Sequence, residues 1–421
     1  MFTLAPFLKK VKRKRGCFFN FFLFLFYVNL ITTIIYITNI KKFIPLDIKF
    51  VYFHLFRYNN SMITKDMLRR VPKVELHDHL DGGLRINTII ELAKKEGVAL
   101  PTTNPEELRE WFVRGCQQKS LTLYLETFVI TTAVMQTREA LTRVAYEAVL
   151  DLSSENVVYA EIRFAPDLHT QKGLNQEEIV TAVLQGLDRG RSETGMQYGL
   201  ILCAMRNKEP HSTLAVAELA VAFSDRGVVG FDIAGDEYGH PPKKHLEAFQ
   251  YIRSKNFNIT IHAGEAFGVE SIWQAIQICG AHRIGHGVRL TEDMVINGNQ
   301  IVKMGSLSQF ILDRRIPMEM CLSSNVGTGA VESYERHPFP IFFKNNFRVF
   351  LCSDNRLMSD TSLTKEFEKA VSYYGLNFRD VEKITINAMK SAFIHHNEKI
   401  RIIYDVIKKQ YAQLRSEYSL E

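Results

Sequence analysis

From residue 73 onward, short β-branched or apolar runs alternate with longer amphipathic segments. Eight short runs read as strands: KVELHDH (73–79), VVYAEIRF (157–164), YGLILCAM (198–205), VVGFDIA (228–234), NITIHAG (258–264), HRIGHG (282–287), PMEMCLSS (317–324) and RVFLCSD (348–354). Between them lie stretches of helical period such as 175–195 and 211–227, the second ending in Gly227, a natural helix stop. Strand–helix alternation argues for parallel pairing. Eight units over roughly 300 residues predict a (β/α)₈ TIM barrel, enlarged by an insertion after the first strand (84–156) and by extra C-terminal helices over 363–416. An open doubly wound sheet would usually show a Gly-rich phosphate turn after its first strand, and no G-x-G-x-x-G follows residue 79. Within the insertion, SLTLYLETFVITTAVM (120–135) is apolar on a helical period, which suits a core helix, a lid over the barrel mouth, or both.

The first 61 residues depart from this pattern. Residues 18–40 hold no charge, long enough to span a bilayer, and KKVKRKR (9–15) precedes them. This admits two readings: a signal-anchor helix, or a start assigned upstream of the true one, with Met62 and Met67 just before the first motif. The second is preferred, which divides the chain into an extension (1–61) and a barrel (62–421). Membrane contact is expected only if 18–40 is a real anchor.

Charge sharpens this division. The extension holds ten Lys/Arg and one acid, a local +9, so the net +6 of the whole chain leaves 6 − 9 = −3 on the body. No basic surplus there points to nucleic acid. Six scattered cysteines without a C-x-x-C pair exclude a cysteine zinc ribbon and suit a reducing, cytoplasmic compartment.

The candidate chemistry sits at strand ends. His77 and His79, two apart, point the same way, and Glu75 shares their face in a supporting role. His262, His286 and Asp354 close the fifth, sixth and eighth strands. In a barrel these ends open on one rim, where active sites form. His77, His79, His262 and Asp354 are a donor set suited to Zn²⁺ with a position left for water. The fourth strand ends in DIAG without a bridging Lys, which favours one ion per chain. Glu265, in the HAGE loop, is placed to face a substrate, and apolar walls would raise its pKa. His286 reads either as a fifth ligand or, preferably, as a base or electrostatic partner of the water. The remaining histidines, His337 among them, lack ligand spacing.

Together these residues resemble the adenosine deaminase family of metal-dependent amidohydrolases, from about Val71 to Leu414. The resemblance rests on VELHDHLDG (74–82), DIAGDE (232–237), HAGE (262–265), RIGHG (283–287), LSSN (322–325) and SDN (353–355), in that order. It implies zinc-dependent deamination of adenosine and 2′-deoxyadenosine to inosine and 2′-deoxyinosine, with ammonia released, in purine salvage. It implies metal ligation by His77, His79, His262 and Asp354, proton donation to purine N1 by Glu265, and His286 as partner of the attacking hydroxide. For the substrate it implies contacts from His79, Asp81 at the ribose, Gly235 at N3 and Asn355 at N7. Adenine deaminases resemble this sequence but carry Glu at the place of Asp81; the shorter acid leaves room for a sugar. One departure stands out: the family's usual T-D-D-P is Ser353-Asp354-Asn355-Arg356 here. The alternatives are a deaminase of another aminopurine and a non-catalytic nucleoside-binding protein.

Overall fold

The computed structural model describes residues 63–298 and 300–420. The extension 1–61, with its candidate span 18–40 and the proposed start at Met62, lies outside the described residues.

A short helix, α1 (Lys65–Arg70), leads into β1 (Lys73–His79). Five helices fill the insertion: α2 (Ile86–Glu96), α3 (Pro105–Cys116), α4 (Leu121–Glu126), α5 (Phe128–Val134) and α6 (Arg138–Ser154). Strict alternation comes next: β2 (Val157–Phe164), α7 (Gln176–Thr194), β3 (Gln197–Met205), α8 (Pro210–Ala222), β4 (Val228–Ala234), α9 (Leu246–Ser254), β5 (Thr260–Ala263), α10 (Val269–Trp273) and β6 (Arg283–His286). An antiparallel hairpin of β7 (Met294–Asn297) and β8 (Gln300–Met304) intervenes. Then come α11 (Ser306–Arg314), β9 (Met318–Met320), α12 (Leu322–Gly327), α13 (Phe339–Lys344), β10 (Val349–Leu351) and the closing helices α14 (Leu363–Tyr374), α15 (Phe378–Ser391), α16 (His396–Arg401) and α17 (Lys408–Glu417).

The eight parallel strands form two hydrogen-bonded runs, β1-β2-β3-β4 and β5-β6-β9-β10. Two seams close them into a barrel. At one, Phe231 pairs with Ile259; at the other, Asp78 pairs with Asp354. The second seam is a reciprocal pair of backbone bonds, Asp354 N–H to His77 O and His79 N–H to Asp354 O, both 2.7 Å. Closing the barrel therefore brings the last strand's Asp354 beside the first strand's histidines.

The expected barrel is present, and all eight expected strands are found. Local chemistry explains the boundaries. Asn175 caps α7 in a reciprocal box with Glu178, and Gly195 ends it in the left-handed conformation, one residue from the expected span at each end. The helix expected over 211–227 stops earlier, at Ala222; a 3-10 turn then runs to Gly227, whose φ of 110° only glycine adopts freely. The strand expected over 317–324 covers only Met318–Met320, because LSSN begins α12 instead. The segment 120–135 is broken at Thr127 into α4 and α5, with Tyr124, Thr131 and Val134 buried. The β7–β8 hairpin adds to the expected elements, and Gly298 stands in its turn at φ 58°.

Candidate active site

A cavity of about 430 Å³ opens at the C-terminal ends of the strands. His79, Asp81, Gly235, His262, Glu265, His286, Asp354 and Asn355 all line it. His77 lies beneath, fully buried, with its ring centroid 4.6 Å from that of His262. Every sequence-predicted site residue is thus gathered at one place. The insertion supplies the roof: Leu125 and Phe128, on α4 and α5, face the cavity, and Thr122 hydrogen-bonds Asp236 across the mouth at 3.0 Å. The segment 120–135 thus roofs the cavity as two short helices and not as one core helix.

The donor atoms of His77, His79, His262 and Asp354 lie within 4.8 Å of one another. Their partners fix which ring nitrogen faces inward. His77 Nδ1 donates to Glu319 Oε2 at 2.7 Å, which leaves Nε2 as the inward lone pair, buried and without a hydrogen-bond partner. His262 Nδ1 faces the Asp232 carboxylate at 3.0 Å, which likewise frees its Nε2. That atom stands 3.2 Å from His79 Nε2, and Asp354 Oδ1 lies 3.2 Å from His77 Nε2 and 3.4 Å from His79 Nε2. Inward ring nitrogens and a carboxylate so close together repel unless a proton or a metal cation sits among them. The donor set therefore fits a single borderline divalent metal ion.

Asp354 (φ 61°) and His286 (φ 66°) are both non-glycine residues in the left-handed region. Such backbone persists where surroundings over-determine it. For Asp354 the two seam bonds to β1 do so.

Glu265 is buried, with Oε1 accepting from Thr328 Oγ at 3.1 Å and Oε2 3.5 Å from His286 Nε2. Burial, then the charges of Asp354 and Glu237, push its carboxyl up to about 8. His286 has a defined tautomer. The Phe339 N–H donates to His337 Nδ1 at 3.1 Å, so His337 Nε2–H donates to Asn325 Oδ1 at 3.2 Å. The Asn325 amide then donates to His286 Nδ1 at 3.0 Å, which puts the His286 proton on Nε2, facing the cavity. Burial holds the ring well below its ordinary pKa and therefore neutral.

Sequence reasoning missed several supports. His337 lacks ligand spacing, yet it starts this relay. Glu319 accepts from His77, Arg163, Thr260 and Arg283, while Asp232 joins Arg163 to His262. Glu237 is buried and accepts the backbone N–H groups of Gly264, Glu265, Ala266 and Phe267 at 2.6–3.0 Å, which shapes the loop that carries Glu265. Its place in DIAGDE was the available signal. Glu75 has the expected supporting role, through hydrogen bonds: it takes the backbone N–H of His77 and of Ser353, both at 2.9 Å.

The departure at 355–356 also has a structural account. Arg356 Nε donates to the buried Asp78 at 2.9 Å, neutralising the carboxylate between the two histidines of β1. Asn355 packs over Gly82, where any Cβ would stand 2.0 Å from its Oδ1. Asp81 Oδ1 and Asn355 Oδ1 are buried without partners, both at the cavity.

A family model described as "Adenosine deaminase" matches residues 72–409. The chain belongs to the adenosine deaminase family. Adenosine deaminase 1 of Streptomyces coelicolor is 50% identical over 359 residues, covering 84% of this chain and 90% of that protein. Adenosine deaminase of Mycobacterium marinum is 51% identical over 362 residues, covering 84% of this chain and 99% of that one. Among solved structures, the adenine deaminase of Arthrobacter aurescens superposes with a TM-score of 0.73 at 25% identity, covering 82% of this chain and 99% of that chain. No helix among the described residues is long and apolar enough to cross a membrane.

Proposed function

We propose that this protein is an adenosine deaminase that hydrolyses adenosine and 2′-deoxyadenosine to inosine and 2′-deoxyinosine, releasing ammonia, in purine salvage. The observation that carries the reading is a buried, protonated-range Glu265 facing the same cavity as His79, His262 and Asp354. One Zn²⁺ held by His77, His79, His262 and Asp354 would, when bound, make a hydroxide available near neutral pH.

The chain's own residues do the rest. The Asp354 carboxylate holds the attacking water and takes its proton. His286 donates its Nε2–H to the same oxygen; its tautomer and neutrality favour this electrostatic role over that of a base. As the oxygen adds to C6, Glu265 delivers a proton to N1, so no negative charge accumulates on the ring. The proton taken by Asp354 then passes to the amino group, the C6–N bond breaks and ammonia leaves, and the remaining hydroxyl proton returns to Glu265 as C6=O forms. Gly235, at φ 100°, presents its backbone N–H to N3, Asn355 donates its amide to N7, and Asp81 binds the ribose. The unpartnered Asp81 Oδ1 supports that last assignment.

Among the described residues no Lys or Arg lines the cavity, which supports a neutral nucleoside over a 5′-phosphate. Apolar walls from Leu125, Phe128 and Met205 suit a purine. The test is ultraviolet conversion of adenosine to inosine, run beside adenine and adenosine 5′-phosphate. Adenosine should turn over with kcat/KM at least tenfold above either competitor. Asp81→Ala should raise KM for adenosine by about 10- to 100-fold, the worth of one hydrogen bond to a carboxylate at roughly 1.5–3 kcal/mol. Its effect on adenine should be small; equal losses on both would remove Asp81 from the ribose site.

The raised Glu265 carboxyl sets a pH limb. The acid form is the active one, present below the folded pKa and lost above it. Activity should therefore fall as pH rises through about 8, an alkaline limb that Glu265→Gln lacks. A flat profile to pH 10 in the parent would contradict the assignment.

We assign the catalytic body to residues 62–421 and place the enzyme in the cytoplasm. Supporting this, Cys116, Cys203, Cys279, Cys321 and Cys352 are all free and buried, as a reducing compartment allows.

A further inference from the structure

A second cavity, of about 650 Å³, lies at the opposite end of the barrel, where the chain enters β5, β6, β9 and β10. The stretch after α15 forms its wall. Six cationic side chains line it, Arg283, Arg314, Arg315, Arg348, Lys390 and Lys399, and no carboxylate does. Among the described residues, only Arg283 of these six makes an ion pair, to Glu161 at 2.6 Å and Glu319 at 2.7 Å. Those contacts use its Nη1 and Nε. Its Nη2 is buried without a partner, on a residue only 1% exposed, and Arg348 Nε is also buried and unpartnered. Phe393 fixes the Arg283 guanidinium, which lies 3.7 Å above its ring.

Cations that share a cavity repel one another. Burial lowers Lys399, and Arg283 and Arg348 lower it further against the pull of Glu161; burial and then Arg315 lower Arg348. Beyond the Arg283 pairs, Lys399 donates to Lys390 O at 3.2 Å and Arg315 to Asn346 O, neutral acceptors that leave the charge of the cluster uncompensated. Forked guanidinium donors beside ammonium groups match a phosphate oxygen array. The cavity has room for more than one phosphate, and its strand-entry position keeps it apart from Glu265 and Asp354 at the strand ends.

We propose that this basal cavity binds a diphosphate group, either free or carried by a nucleotide. The site is independent of the deamination reading, and its test reads binding directly. The metal-loaded full chain is titrated calorimetrically with sodium pyrophosphate and, separately, with ADP, in saturating inosine to fill the active site. One equivalent should bind, with affinity falling as ionic strength rises. Arg348→Gln combined with Lys390→Gln should weaken binding at least tenfold, and so should Arg315→Gln alone. Both variants should keep the circular-dichroism spectrum and the adenosine deamination rate of the parent. ADP binding more tightly than pyrophosphate would identify the nucleotide as the source; equal affinities would identify the diphosphate itself. Absence of saturable binding, or affinity unchanged in both variants, which would put the anion at the metal or elsewhere, overturns the proposal.

Discussion

Glu265→Gln should leave the fold and the metal content intact and lower kcat for adenosine by at least about 10²-fold, roughly 2.7 kcal/mol of activation free energy. The amide has nearly the same shape, and its oxygen can still accept from Thr328, which donates to the carboxyl at 3.1 Å. The loop does not depend on the Glu265 side chain, because Glu237 holds its backbone. The substitution removes the proton. The carboxyl is kept protonated near neutrality by burial and by neighbouring negative charge, so it can donate where a solvated glutamate could not. An amide beside N1 can still hydrogen-bond, and for this reason KM should change far less than kcat. The checks are initial rates by ultraviolet absorbance, melting temperature and metal per chain. A variant within a few-fold of the parent would mean that another group supplies the proton.

The residues most easily found in the sequence are those whose chemistry is dictated by local spacing. Two histidines two apart in a strand share a face whatever surrounds them, and HAGE places an acid just past a strand end. The eight strands are legible because apolar runs alternate with segments of helical period. Strand ends are less so: β9 and β10 are three residues each, and contacts across the barrel decide the conformation of the chain beyond Met320. Ser323, read as strand, instead starts a helix, and its backbone N–H donates to Glu366, 43 residues on.

The unread part of the site is the part made by distant partners. Glu319 meets His77 across 242 residues and Asp232 meets His262 across 30, and no local period marks either carboxylate as special. His337 is a similar case. Alone on a loop it looks structural, and only the fold shows that it sets a proton on His286 through Asn325. The tautomer matters because the sequence leaves His286 open between ligand, base and electrostatic partner. A fixed Nε2–H narrows that choice. Arg356 shows the reverse: the sequence marks it as a departure, and the buried Asp78 beside it gives the reason.

Asp354→Asn should be the most damaging single change, lowering both metal affinity and turnover. Asparagine is the fair test because φ at 354 is 61°, a conformation that Asn tolerates and Ala adopts at a cost. It keeps the shape and the seam bonds to His77 and His79, and it removes only the charge. Without that charge the inward Nε2 atoms of His77, His79 and His262 lose their anionic counterpart, and the amide is a weaker donor to a divalent cation. Mutating outer partners of metal ligands already costs about 10- to 100-fold in affinity, so loss of a direct charged ligand should cost more than about tenfold. The amide also cannot take a proton from water. His286, with Nε2 protonated and Nδ1 occupied by Asn325, has no free lone pair to replace it. Turnover with saturating metal should therefore fall by on the order of 10³-fold or more. Elemental analysis should find one equivalent of metal in the parent and less in the variant after the same dialysis, with excess zinc restoring occupancy but not rate. Restoration of the parental rate by added zinc would leave Asp354 as a ligand only and move proton acceptance elsewhere. Two tightly held equivalents in the parent would overturn the single-ion site.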